Sequence, residues 1–291
     1  MGFRRPHTRP SRMARWHSWL RVVVAHKWGL PLHHLYNRIP RLEYGMHHTD
    51  ITPMRSYCTG LVGHRAVHLS DLHLDRYLPR HDGVLAQVAA LKPDWIFLTG
   101  DYVNVPDGMP HLERFLVALR AIAPVYMTLG NHDHYSGVPM DEFIGLADRH
   151  KLRLLINQVA IEPIGSTELC IVGLDDPSLH RADLNCLPPW REHRYILVLA
   201  HAPIILDLLK EEHRTNLVLC GHSHGGQWHF SGVKPFWLPY GCHGRTHGDY
   251  EKNGHRLYVN RGLGWSGFPA RIACPPEIVL IEWVAERRAR P

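Results

Sequence analysis

The stretch RAVHLS at residues 65–70 is the first of three short apolar runs, and DWIFLTG (94–100) and PVYMTLG (124–130) follow it. Each run ends in polar residues or glycine, as buried strands do. Between them lie HDGVLAQVAALK (81–92) and HLERFLVALRAIA (111–123), which carry apolar residues on one helical face. This alternation predicts an α/β fold with parallel strands and crossover helices, whose polar groups gather at the carboxyl ends of the strands.

The second half of the chain contains six further apolar runs and one clear helical pattern. The helix is expected from Ile204 to Glu212, and a loop rich in glycine, proline, histidine and aromatic residues is expected over 231–255. With so few helices, this half is predicted to contain more direct strand-to-strand pairing. The predicted strands are LCIVGL (169–174), RYILVLAH (194–201), NLVLCGH (216–222), GQWHF (226–230), RLYVN (256–260) and EIVLIEW (277–283).

Composition indicates one main globular domain, expected over residues 61–291, with an N-terminal extension over 1–60. The chain has 33 lysine and arginine residues against 27 acidic ones, which gives a net charge of +6. This excess suits anionic ligands or an anionic membrane surface, although ordinary surface chemistry explains it equally. The six cysteines form no CxxC pair, so we expect reduced thiols and a cytoplasmic location rather than a disulfide framework.

The N-terminal extension mixes basic and apolar residues. Its apolar run, Trp19 to Ala25, is interrupted by Arg21 and is too short to span a bilayer, which takes about 20 residues. No small-residue cleavage site of a signal peptide follows it. The composition suits peripheral binding to anionic lipid at the inner face of the membrane, and a solvated or core-packed extension remains an alternative.

Side chains that bind metals follow five of the predicted strands. They include carboxylate, amide and imidazole groups but no thiolate, a set that suits Mn, Fe, Zn or Ni. Seven donors are too many for one ion but fit two ions that share a carboxylate, and such a pair catalyses phosphoester hydrolysis. The residues are Asp71 and His73 in SDLHLD, Asp101 in GDYVN, Asn131 in GNHDH, His201 in LAHAP, and His222 and His224 in GHSHGG.

The order of these motifs resembles the pattern DxH, GD, GNHD, H, GHxH of the calcineurin-like metallophosphoesterases. The resemblance implies a two-sheet mixed β-sandwich flanked by α-helices and two divalent ions, of which Mn²⁺ is the first expectation. It places Asp71, His73, Asp101 and His224 on one metal, and Asp101, Asn131, His201 and His222 on the other. It also makes His132 a general acid or phosphate clamp, oriented by Asp133. Many members carry an acid where this chain has Asn104, which is not a ligand in the family.

The C-terminal phrases GHSHGGQ and YVNRGLG resemble the branch that contains YkuE-type proteins and the chlamydial-type UDP-2,3-diacylglucosamine pyrophosphatases of lipid A synthesis. That resemblance implies a nucleotide-linked lipid as substrate, with release of UMP. Arg245, Arg261 and Arg271 would then bind the diphosphate, and the aromatic residues Phe236, Trp237 and Tyr240 would shelter acyl chains.

The sequence bears differently on three other functions. A phosphodiesterase or phosphomonoesterase of other substrates is the main enzymatic alternative. A metal-stabilised scaffold without activity is disfavoured because every ligand position is present. Nucleic acid is not expected as a partner, since no basic stripe with interleaved aromatic residues is found.

Overall fold

The computed structural model of the chain describes residues 44–228, 235, 238–267 and 269–285. Apart from Gly267 and Pro269, these residues belong to one compact unit. Its helices are α1 (Pro79–Leu91), α2 (Met109–Ile122), α3 (Asn131–Tyr135), α4 (Met140–Arg149) and α5 (Ile205–Leu208). Its strands are β1 (Asp50–Tyr57), β2 (Arg65–Leu69), β3 (Trp95–Thr99), β4 (Val125–Thr128), β5 (Arg153–Leu154), β6 (Gln158–Ile164), β7 (Thr167–Gly173), β8 (Arg194–Leu199), β9 (Leu217–Cys220), β10 (Gly248–Lys252), β11 (His255–Val259) and β12 (Glu277–Val284).

Within the described residues the strands form two six-stranded mixed sheets. The first has the order β1-β12-β2-β3-β4-β5, and the second has the order β10-β11-β9-β8-β7-β6. In the first sheet only β12 and β2 are antiparallel neighbours. In the second, β7, β8, β9 and β11 run parallel, and an antiparallel hairpin lies at each edge. The carboxyl ends of the central parallel strands therefore meet at one edge of each sheet.

The core consists of three apolar layers, which explains why the central strands are apolar on both faces. Alternate residues of β3 point to opposite sides: Ile96 packs towards α1 and α2, and Phe97 packs towards the second sheet. On the outer face of the second sheet, Val198 packs with Ile205 of α5. The predicted fold class, a two-sheet mixed β-sandwich flanked by α-helices, is confirmed.

The predicted strand GQWHF (226–230) is wrong where the structure describes it. Gly226 and Gln227 have φ values of +77° and +56°, which an extended strand cannot accommodate. Trp228 pairs with Ile272 as an isolated bridge outside the named strands. The last two residues of the prediction, 229 and 230, lie outside the described residues.

Two other elements differ in extent from the prediction. The helix expected from Ile204 to Glu212 ends at Leu208, because Leu209 adopts an extended conformation with φ −69° and ψ 131°. A separate 3₁₀ turn follows at Glu211–His213. The expected loop over 231–255 includes β10, which pairs with β11 through a tight turn.

Part of the predicted N-terminal extension belongs to the sandwich. Asp50–Tyr57 pairs in parallel with β12 along all eight residues, and Tyr44 bridges to Ala270. The compact unit therefore begins at Tyr44 rather than near residue 61. The segment proposed to touch lipid lies mostly in residues 1–43, outside the described residues. No described helix has the length and apolar character needed to cross a bilayer.

Candidate metal centre

Four of the predicted ligands form one group at the carboxyl edge of the sheets. One donor atom from each of Asp71, His73, Asp101 and His224 lies within 4.8 Å of the others. His73 Nε2 is 3.2 Å from His224 Nε2 and 3.7 Å from Asp101 Oδ2. Asp71 Oδ1 is 3.4 Å from His224 Nε2. All four residues are buried, so this group can enclose a metal ion.

A second group shares Asp101 with the first. Donor atoms of Asp101, His201 and His222 lie within 4.8 Å of one another. His201 Nε2 is 3.1 Å from Asp101 Oδ2, and His222 Nδ1 is 3.0 Å from His201 Nε2. Since the Asp101 carboxylate belongs to both groups, the arrangement fits two ions bridged by one carboxylate.

Asn131 supplies an observation that tests whether the residues fit a metal. Its Oδ1 atom is buried, and within the described residues it has no hydrogen-bond partner. A buried amide oxygen without a partner is destabilising by about 1–3 kcal/mol. A divalent cation held beside Asp101 and His201 would remove that penalty, so the donor set and this orphaned oxygen both fit the metal that the sequence predicted.

The backbone at the site is strained in a way that aims the ligands. Asp71, His73, Asp101, His222 and His224 all have positive φ, between +44° and +70°. Non-glycine residues seldom adopt this conformation, and clusters of it are found at functional sites. The chain thus turns sharply after each strand, which brings the side chains together.

Each of three predicted ligand histidines is oriented by a hydrogen bond from one ring nitrogen to an oxygen atom. The other ring nitrogen then faces the centre, an arrangement typical of metal-binding histidines. The pairs are His73 Nδ1 with Asn104 Oδ1 at 2.8 Å, His201 Nδ1 with Thr99 O at 2.6 Å, and His222 Nε2 with Tyr240 O at 2.7 Å.

Electrostatics keep three of the donors, His73, His222 and Asp101, in their metal-binding forms. His201 differs in the metal-free site: although burial opposes its protonation, the Asp101 carboxylate raises the pKa of His201 to about 10, so a metal ion must displace a proton from this imidazole. Burial lowers the pKa of His73 and of His222 to about 3, so both imidazoles are neutral at pH 7. Although burial opposes its ionisation, the imidazole groups of His201, His132 and His73 hold the pKa of Asp101 well below its ordinary value. The shared carboxylate is therefore ionised across the physiological range.

Asp133 is fully buried in the first turn of α3. Its carboxylate accepts hydrogen bonds from the backbone N–H groups of Asp101 at 2.9 Å, Tyr102 at 2.7 Å and Gly130 at 2.8 Å. Among the described residues, no hydrogen bond joins this carboxylate to the His132 ring, so its predicted role in orienting His132 stays a prediction. Asp133 fixes the backbone that carries the shared Asp101.

His132 lies beside the first group. Its backbone N–H donates to Asp101 Oδ1 at 2.8 Å, and its partly buried ring meets that of His73 edge-on, with 4.9 Å between the centroids. The shared carboxylate therefore fixes the position of His132, which is the predicted proton donor.

The three arginines predicted to bind substrate are all engaged within the protein. Arg245 makes a bidentate pair with Asp207, with bonds of 2.7 and 2.8 Å. Arg261 pairs with Asp50 at 3.1 Å and with Glu277 at 3.4 Å. These guanidinium groups hold the fold together, so the structure does not support their assignment to a diphosphate.

Arg271 is the clearest of these corrections, because it is 1% exposed. Its Nε and Nη2 donate to Gly264 O at 2.8 and 2.6 Å, and Nη2 also donates to Arg261 O at 2.8 Å. A substrate phosphate cannot reach a guanidinium that is buried among carbonyl groups.

The phrase YVNRGLG supports the metal centre in a way that sequence reasoning missed. Asn260 Nδ2 donates to His68 O in β2, and Asn260 N donates to Cys220 O in β9, which joins the two sheets. A β-carbon added to Gly262 would lie 2.7 Å from Asp71 Cβ, so only glycine allows this close approach. The glycines in YVNRGLG are the sequence signal that could have indicated this close approach to Asp71.

Two adjoining groups of oxygen and imidazole donors that share a carboxylate, at the strand ends of a two-sheet sandwich, are the site of a metal-dependent phosphohydrolase. The family model for calcineurin-like phosphoesterases matches residues 64–226, and this chain belongs to that family.

Three relatives show how far the similarity extends. The metallophosphoesterase YkuE of Bacillus subtilis is 30% identical over 228 residues, which cover 76% of this chain and 79% of that protein. The phosphodiesterase YaeI of Escherichia coli is 30% identical over 225 residues, covering 74% and 80% of the two chains. The metallophosphoesterase YkoQ of Bacillus subtilis is 31% identical over 223 residues, covering 73% and 80%.

Proposed function

We propose that this protein is a phosphodiesterase with a dinuclear metal centre. The observation that carries the proposal is the position of Asp101, whose carboxylate belongs to both donor groups. A pair of divalent ions, with Mn²⁺ expected first and Fe, Zn or Ni as alternatives, would polarise the phosphoryl group and supply hydroxide at neutral pH. The likeness to the protein named phosphodiesterase YaeI supports a diester as substrate.

The residues of the chain have separate tasks in this proposal. Asp71, His73 and His224 would hold one ion, Asn131, His201 and His222 would hold the other, and Asp101 would bind both. His132 would donate a proton to the leaving oxygen, because its partly exposed ring lies beside the first group. Asp133 would keep Asp101 in place through the three amide bonds described above.

A UDP-2,3-diacylglucosamine pyrophosphatase is the second candidate, and the C-terminal phrases favour it. One of those phrases now has a structural explanation as well, because Gly262 in YVNRGLG packs against Asp71. In addition, the three arginines expected at the diphosphate are paired within the protein. The observations therefore favour a diesterase and leave the lipid substrate as a competing proposal.

Membrane association belongs to the same second proposal. Most of the N-terminal segment predicted to bind lipid lies in residues 1–43, which are outside the described residues. The aromatic residues at 236 and 237 also lie outside them. Tyr240 is described and is 61% exposed, while its backbone carbonyl accepts from His222. An exposed aromatic ring beside a ligand histidine suits an apolar substrate group. The exposure of Tyr240 therefore supports its predicted contact with acyl chains.

The experiment that tests the proposal compares substrates on protein stripped of metal and reloaded with Mn²⁺. We expect bis-p-nitrophenyl phosphate to be cleaved faster than p-nitrophenyl phosphate. Asp101→Asn should abolish this activity, and Asp249→Asn, which alters an exposed carboxylate paired with Arg256, should retain it. Preferential release of UMP from UDP-2,3-diacylglucosamine would favour the second candidate, and an absence of metal-dependent cleavage of all three compounds would refute both.

A further inference from the structure

The loop after β2 and the loop after β3 lie side by side at the metal centre. His73 N donates to Asp101 O at 3.1 Å, and the next amide, Leu74 N, donates to Tyr102 O at 2.7 Å. These backbone bonds fix the distance between the two loops, and with it the separation of the ligands that the loops carry. They leave the orientation of the His73 ring to the partner of its side chain.

Asp75, the last residue of the motif SDLHLD, joins the ends of the two loops. Its Oδ1 accepts from the backbone N–H of Asn104 at 2.7 Å, and its Oδ2 accepts from Asn104 Nδ2 at 2.5 Å. Asp75 is 7% exposed, so little water competes for these bonds. One carboxylate therefore holds both the backbone and the side-chain amide of Asn104.

The direction in which the Asn104 amide faces determines where the His73 imidazole carries its proton. A carboxylate accepts hydrogen bonds, so the Nδ2 group of Asn104 faces Asp75. The Oδ1 atom of the same amide then faces His73 Nδ1, 2.8 Å away. Because an amide oxygen only accepts, the proton of the neutral imidazole lies on Nδ1. The lone pair on His73 Nε2 is thus left for a metal, beside Asp101 Oδ2 at 3.7 Å.

His73 differs in this respect from the ligand histidines of the second group. His201 and His222 are bonded to the backbone carbonyl groups of Thr99 and Tyr240. A carbonyl group can only accept, so it selects one tautomer without help. An asparagine amide presents either an acceptor or a donor, according to which way it faces. The ring of His73 therefore needs a further residue that fixes the amide.

We propose that Asp75 is a positioning residue of the metal centre, which sets the tautomer of His73 through Asn104 and so strengthens the binding of one metal ion. This inference rests on the proposed dinuclear centre. Partners one step removed from a metal typically change its affinity by about 10- to 100-fold. The affinity for metal thus depends on an acid that lies outside both donor groups.

The test begins with Asp75→Asn, which keeps the size of the side chain. Its new amide can still accept from the backbone N–H of Asn104, but it presents an NH₂ group to Asn104 Nδ2. Two donors cannot bond to each other, so the Asn104 amide should turn over and present its own NH₂ group to His73 Nδ1. The proton of His73 would then lie on Nε2, where it blocks the metal.

A second exchange, Asn104→Asp added to Asp75→Asn, should reverse this effect. The new amide at position 75 can donate to the new carboxylate at position 104, and the other carboxylate oxygen can accept from His73 Nδ1. Asp94→Asn serves as the matched control. The carboxylate of Asp94 also accepts from a backbone N–H, that of Arg65 at 2.8 Å, but it precedes β3 and so lies at the opposite end of that strand from Asp101.

Calorimetric titration of Mn²⁺ into the metal-stripped, full-length protein measures the binding of both ions without any substrate. For Asp75→Asn we expect one Kd to rise by about 10- to 100-fold and the other to change less. The double exchange should return the weakened Kd to the wild-type value or below it, because a carboxylate partner makes an imidazole a stronger ligand. Asp94→Asn should match wild type within about twofold.

Wild-type affinity of Asp75→Asn for both ions would overturn the assignment. A weakened Asp75→Asn that the second exchange does not rescue would also overturn it, since the loss would then reflect damaged packing rather than the direction of the amide. If Asp75→Asn does not fold, the double exchange decides: wild-type binding of two ions supports the assignment, and one weakened ion contradicts it. A wild-type protein that binds fewer than two ions would instead refute the dinuclear centre, and this inference with it.

Discussion

Replacement of Arg271 distinguishes a structural arginine from a substrate-binding one. In the structure its buried guanidinium makes three bonds of 2.6–2.8 Å to the carbonyl groups of Gly264 and Arg261. Arg271→Ala leaves these two buried carbonyl groups without their donors, which costs about 1–3 kcal/mol each, or about 2–6 kcal/mol together. We therefore expect the free energy of unfolding to fall by roughly that amount, a large fraction of a total of about 5–15 kcal/mol.

The assay is denaturant unfolding of the metal-free protein, followed by steady-state kinetics on the fraction that remains folded with Mn²⁺. Arg191→Ala serves as the exposed-arginine control, with an expected change within about 0.5 kcal/mol. The KM of folded Arg271→Ala for bis-p-nitrophenyl phosphate should match that of wild type. A stability loss below about 1 kcal/mol together with a KM raised about tenfold or more would refute the structural role. Arg271 would then be assigned to substrate binding, as the sequence predicted.

Four further outcomes follow from the geometry. Asn131→Ala should weaken binding of the second metal by more than about 100-fold in a metal titration, since loss of an outer-shell partner alone costs 10- to 100-fold; unchanged stoichiometry and affinity would exclude Asn131 as a ligand. His132→Ala should retain two metals and lose about 10²- to 10⁴-fold in kcat, and full activity would remove its role as proton donor. Asp207→Ala should lower the free energy of unfolding by about 1–3 kcal/mol in denaturant, because this partly exposed carboxylate anchors Arg245; a loss no larger than that of Asp249→Asn would contradict this. Burial lowers the pKa of His81 to about 2, so the unfolded state binds a proton that the folded state does not, and stability falls as the pH drops below about 6.5. Between about pH 4 and 6, His81→Gln should therefore reduce the slope of unfolding free energy against pH by about 1.4 kcal/mol per unit, and an unchanged slope would contradict the neutral, buried form.

Much of the first sheet could be predicted because its signals are local. β2, β3 and β4 are continuous apolar runs with amphipathic helices between them, and a polar residue marks each strand end. Six of the seven predicted ligands come together in the two donor groups for the same reason, since parallel strands end at one edge. The edge strand β1 carries no such signal: it contains Pro53 and Arg55, and its partner β12 is more than 200 residues away along the chain.

The roles of charged residues could not be predicted in the same way. Arg271 is surrounded by carbonyl groups of residues 224, 261, 264 and 274, and only the folded chain brings those together. The family resemblance implied that Asp133 orients His132, yet consecutive residues of a helix do not face each other. The carboxylate turns instead to the amides of Asp101 and Tyr102, a contact between α3 and the end of β3.

The central claim is a pair of metal ions bridged by Asp101, and anomalous diffraction from crystals of the Mn²⁺-loaded protein tests it most directly. Two anomalous peaks about 3.5–4 Å apart are expected, one on each side of the Asp101 carboxylate, and both peaks should disappear or weaken in Asp101→Asn. A single peak, or two peaks that do not share Asp101, would contradict the dinuclear centre.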